Sequence, residues 1–135
     1  MPKRDITPFA QSSNLKTKMT AKGYPQTLDE GMAFWTAVGE IWAITGSTTF
    51  GALRCVGNTT DFTDIIDAND QTLVRAWAIE ELGNWIFHNL HPVDYTVTKP
   101  ATQFVVTITI GENQFVGQDA NKTQAVAKAI LAALN

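Results

Sequence analysis

A single cysteine, Cys55, stands in a chain of 135 residues, so no disulfide can form within it and packing has to hold the fold. The chain also lacks a Gly-rich phosphate loop, a Gly-x-Ser-x-Gly elbow and any zinc-ligand spacing, which removes the common motif-borne chemistries. Charged residues make up only 17%, so the surface is polar through hydroxyls and amides more than through ions. The net charge of −3 removes the usual electrostatic footprint of a whole-domain nucleic-acid binder. No apolar run approaches the roughly 20 residues of a membrane span, and the basic start has no apolar stretch behind it of the kind that makes a secretory signal. No membrane role is therefore expected.

What is present can bury a core. Hydrophobic residues reach 44%, with four Trp and seven Phe, enough for one domain. Thr occurs eighteen times. Five of the ten basic residues (Lys3, Arg4, Lys16, Lys18, Lys22) fall in the first 22, which carry about +4, while the rest carries about −7. Residues 1–26 have too few apolar side chains at any period to fold alone and are expected to form an extended basic arm, with 27–135 as a single α+β domain.

Within that domain Thr27-Leu28-Asp29-Glu30 has a capping-box pattern, and Leu28, Met32, Trp35, Val38 and Ile41 or Trp42 recur at spacings of three and four, which predicts a helix over 28–45. Residues 48–56, broken at Gly51, read as a strand or short hairpin. Asp61, Asp64, Asp67 and Asp70 recur every three residues, predicting one helical turn that ends in an Asp70 N-cap for a helix over 71–90. His91-Pro92 stops that helix. The period then becomes alternating, through Val93, Tyr95 and Val97, then Phe104, Val106, Ile108 and Ile110, then Phe115 and Gly117, which predicts three antiparallel strands with Thr107 and Thr109 on the opposite face. A closing helix runs from about Asn121 to Leu134, with Gln124 as capping partner and an alanine face (Ala125, Ala129, Ala132, Ala133) that lets it lie close to the sheet. The expected class is α+β, a three- to four-stranded antiparallel sheet packed with helices, with an α-β-β-β-α core in the C-terminal half.

Side chains that could carry chemistry read more simply as structure. His88 and His91 stand three apart at a helix end without a placed third ligand. The aspartate series does not match the EF-hand loop. Glu80 and Glu81, adjacent on a helix, point about 100° apart and cannot share a site. Cys55 reads as a buried small hydrophobe, and Trp35, Trp42, Trp77 and Trp85 as core. No metal and no cofactor are expected.

Two families share the order helix, three strands, helix. Ala76-Trp77-Ala78-Ile79-Glu80-Glu81-Leu82, together with Gly117-Gln118-Asp119-Ala120 and the run from Ala125 to Leu134, resembles the bacteriophage ABA sandwich domain over about residues 71–135. Pro92-Val93-Asp94-Tyr95, the strand from Phe104 to Ile110 and Gly117 before the closing helix are similar to the double-stranded RNA-binding domain. The latter resemblance implies a basic cluster at the start of the last helix that meets phosphates; here Lys122, with Lys128 one and a half turns on, stands in that place. The first resemblance implies a non-enzymatic phage protein that works by protein–protein association, self-associating or joining other phage proteins, in a virion or the host cytoplasm. The second implies a nucleic-acid-binding module. A small ligand-sequestering protein or an enzyme with its pocket at a subunit boundary is the third function left open. Candidate contacts to nucleic acid or to a neighbouring subunit are Lys3, Arg4, Lys16, Lys18, Lys22, Lys122 and Lys128.

Overall fold

The computed structural model describes residues 5–47, 52–57 and 63–135. In chain order these form α1 (Phe9–Ala21), β1 (Ala33–Trp35), β2 (Ile41–Ser47), β3 (Ala52–Gly57), β4 (Thr63–Asp67), β5 (Val74–Ala76), α2 (Ile79–Asn89), β6 (Asp94–Thr98), β7 (Phe104–Ile110), β8 (Asn113–Asp119) and α3 (Lys122–Leu134). The class is α+β, as expected, but with two antiparallel sheets in place of one: β4-β3-β2-β1-β5 and β6-β7-β8.

The C-terminal half follows the alternating pattern. Gly111, at φ +61°, and Glu112 form a two-residue turn between Ile110 and its partner Asn113, with the glycine at the position that needs positive φ. Val106 and Ile108 are fully buried beneath α3, whose Ala125, Val126, Ala129 and Ile130 are equally enclosed. Asn121 caps α3 by accepting from the Gln124 backbone N–H at 2.9 Å. Gly117 makes the close approach possible: a Cβ built there would lie 2.1 Å from the Ala125 carbonyl oxygen. α2 packs beside α3 and contributes Leu82 and Ile86 to the same core.

The N-terminal half departs from expectation at four places, each for a local reason. The helix expected over 28–45 is the β1–β2 hairpin. Gly31 (φ +88°) and Gly39 (φ +82°) hold conformations a helix cannot contain, and the turn is closed by Thr36 N–H to the Glu40 carbonyl at 2.8 Å. Members of the apolar series pair across the strands instead, as in Trp35 opposite Ile41. The turn expected over 61–70 contains β4, in which Ile65 is exposed and Ile66 half-buried, a period of two; Asp61 lies outside the described residues, as do 48–51 of the expected strand before β3. The helix expected from 71 begins only at 79. Residues 73–78 are all buried, the signature of a strand enclosed on both faces and not of a helical stripe. Asp70 closes a turn by accepting from Thr72 N–H and Oγ1–H at 2.9 and 2.7 Å, and α2 is started by Glu81, which accepts from Ala78 N–H at 2.8 Å.

Finally, the segment expected as an extended arm holds α1. Ser12, Leu15 and Met19 occupy one buried face, with Leu15 and Met19 in the main core beside Trp77. Gln11 Nε2 donates to the Gln124 carbonyl and Lys18 Nζ to Asn135 Oδ1, so α1 runs parallel to α3. Helix propensity is weak in this Ser/Thr/Asn-containing stretch, and tertiary contacts supply what it lacks. Thr7, just before it, is fully buried: its N–H donates to the Trp77 carbonyl (2.9 Å), its Oγ1 accepts from Trp77 N–H (3.0 Å), and its carbonyl accepts from Trp35 Nε1 (3.0 Å). With Gln26, which bridges the Leu73 carbonyl and the Arg75 N–H at 3.0 and 2.8 Å, these groups seal the outer edge of β5.

Candidate interaction surface

The three-stranded sheet is covered by helices on one face only. On the other face the registers align nine side chains in three cross-strand rows: Asp94, Thr109 and Gln114; Thr96, Thr107 and Val116; Thr98, Val105 and Gln118. Neighbouring strands are about 4.8 Å apart and same-face residues about 6.8 Å apart along a strand, so the array covers roughly 300 Å² of flat surface. Its chemistry is hydroxyl, amide and methyl. Asp94 is the one charged member, and its carboxylate accepts from the Tyr95 N–H at 3.0 Å. Val116, in the middle row, is 51% exposed.

An apolar rim continues beside β6. Phe87 of α2 is 54% exposed and meets Tyr95 edge-to-face at 5.6 Å, and Val93 is exposed just before the strand. Tyr95 points to the helix-covered face, where burial of its phenol pushes the pKa above the ordinary value. β6 and β8 each have one neighbour among the described strands.

The candidate cations are not brought together. Lys3 and Arg4 lie outside the described residues. Lys16 Nζ donates to the carbonyls of Gln71 and Leu73, Lys18 reaches Asn135 at the C-terminal ends of α1 and α3, and Lys22 is exposed beyond α1. Lys122 is exposed at the start of α3, about 20 Å along the helix from its other end. Lys128 is neutralised by Asp119 at 2.8 Å and also donates to the Gln118 carbonyl. Asp5 takes the place where the RNA-binding resemblance would set a phosphate: its carboxylate accepts from Asn121 Nδ2 at 3.1 Å and Thr123 Oγ1 at 2.9 Å, at the N-terminus of α3.

The other candidates are dispersed. His88 Nδ1–H donates to the Asn84 carbonyl at 2.8 Å, and His91 holds the left-handed conformation (φ +47°) that ends α2. Asp67 and Asp70 close turns. Cys55 is fully buried in the smaller core with Phe34, Ile44, Leu53 and Leu73. Among the described residues no group of three or more His, Cys, Asp or Glu is placed to hold a metal, and no helix is long and apolar enough to cross a membrane. Trp77 is in the core, while Trp35, Trp42 and Trp85 are half-buried.

One centre went unnoticed in the sequence. Arg75 is only 7% exposed, its guanidinium stacks on Trp77 at 3.6 Å from the ring centroid, and Nη2 stands 3.6 Å from Glu81 Oε2. Nothing in the pattern marks it, because a lone cation in a helical stripe reads as solvent-facing; on a strand buried on both faces it cannot be. Family models, curated proteins and solved structures provide no match to this chain.

Proposed function

We propose that this chain is a non-enzymatic phage protein that works by protein–protein association, binding further copies of itself through the open face of the β6-β7-β8 sheet within a larger assembly. The observation that carries this is the nine-residue array with a single charge. Each face brings a single carboxylate, Asp94 at one corner of the array, and threonine hydroxyls and glutamine amides each donate and accept, so the surface is complementary to itself. A face-to-face pair covers roughly 300 Å² on each side, in the range of weak contacts and below that of a permanent dimer. Association is therefore concentration-dependent and strengthened where many copies meet. The placement of Asp5 at the start of α3, and the pairing of Lys128 with Asp119, favour this role over duplex RNA binding.

Light scattering on the full chain over a concentration series tests it. The expected result is a mass that rises with concentration, a Val116→Arg variant that stays monomeric with an unchanged melting temperature, and no mass change with a short RNA duplex. A single monomeric species up to about 1 mM would refute self-association, and duplex uptake in low salt would move the function to nucleic-acid binding.

A further inference from the structure

Beside the Arg75 guanidinium lies a cavity of about 40 Å³, walled by Lys16, Tyr24, Gln26, Trp77 and Trp85. By this measure of volume it has room for about three water-sized groups. Two of its lining residues, Lys16 and Arg75, are cations, and no Asp or Glu lines it. Arg75 Nε has no hydrogen-bond partner, although the side chain is more than nine-tenths buried. The guanidinium carries five N–H donors, and among the described residues Glu81, at 3.6 Å, is the carboxylate that faces it. Lys16 Nζ uses two of its three donors on the Gln71 and Leu73 carbonyls, which leaves one.

We propose that this cavity is a binding site for a small carboxylate, held by the Arg75 guanidinium with Lys16 beside it. The class follows from charge, size and shape. Two cations among the lining residues, with no acid beside them there, favour an anion as the occupant. Acetate, with four heavy atoms, is near the limit of that volume, and phosphate, with five, exceeds it further. A planar guanidinium fork is matched to a planar carboxylate. Trp77 stacks on the guanidinium, and burial strengthens the attraction by excluding water.

The test is a titration of the full chain with sodium acetate, read from the side-chain Nε–H resonances of its arginines by NMR, against sodium chloride at equal ionic strength and against sodium phosphate. Arg54, exposed on β3, serves as the internal reference. The expected result is a saturable shift of the Arg75 signal with acetate, no comparable shift at Arg54, and affinity about tenfold weaker in Lys16→Met. An Arg75 signal that ignores acetate, or follows chloride equally, would mean the cavity holds only water and overturn the proposal. An equal response to phosphate would overturn the carboxylate assignment.

Discussion

Replacing Gly117 by alanine adds one methyl group, and the structure says where it goes. Its Cβ would stand 2.1 Å from the Ala125 carbonyl oxygen and 2.3 Å from the Ala129 nitrogen, where ordinary contact begins near 3.4 Å. Both neighbours are backbone atoms of α3, so no side chain can swing away; the helix has to retreat from β8 by about 1 Å. That retreat loosens Val106, Val126 and Ile130, which are fully buried between helix and sheet. Overpacking typically costs 1–3 kcal/mol, and a collision with backbone belongs at the upper end, about 3 kcal/mol out of a total stability of roughly 5–15 kcal/mol. For a chain of this size the melting temperature should fall by about 10 °C. The control is Gly83→Ala inside α2, where a Cβ meets nothing within 4 Å. There the same substitution should stabilise by about 0.5–1 kcal/mol through helix propensity. Thermal and urea unfolding followed by far-UV circular dichroism would report both variants. A Gly117→Ala protein melting within about 2 °C of the parent would refute the steric account.

Leu15→Ala should cost about 2–5 kcal/mol, because Leu15 is fully buried in the main core; an unchanged urea midpoint would mean that α1 does not belong to the folded unit. Asp119→Asn should destabilise the protein at pH 7 by an amount that shrinks in acid. The Asp119 carboxyl is held below its ordinary pKa by the hydrogen bond from Lys128, then by the Asn121 N–H. A depressed folded-state pKa contributes stability above the unfolded value of about 3.9 and loses it as pH falls through the folded one. Urea midpoints of the two proteins should therefore converge as the pH falls below the unfolded value of about 3.9; a gap that is constant with pH would exclude this linkage.

The sequence made the C-terminal half legible because each of its elements is decided locally. Val106 and Ile108 alternate with Thr107 and Thr109, Gly111 marks its own turn, and Asn121 caps its own helix. The outward threonines of the candidate surface could be read the same way. Elsewhere the decisive partners are remote in sequence. α1 is held by Trp77, Gln124 and Asn135, and its buried Ser12, Leu15 and Met19, though spaced for a helix, include too little hydrophobic content to announce one. Trp35, Val38 and Ile41 are spaced for a helical stripe, yet Trp35 and Ile41 face each other across a pair of strands, and the glycines at 31 and 39 decide between the two. Arg75 gained meaning only when 73–78 proved to be enclosed on both sides.

The groups that seal β5 all precede it in the chain: Thr7, Lys16 and Gln26. An unpaired strand edge is the place where a neighbouring polypeptide most easily adds itself. Synthesis runs from the N-terminus, so the residues that cover this edge leave the ribosome before the strand itself does. The strand closes against sequence made before it. The open face of the β6-β7-β8 sheet, by contrast, is complete only when β8 has joined β7, after every residue of the β5 cover has been made.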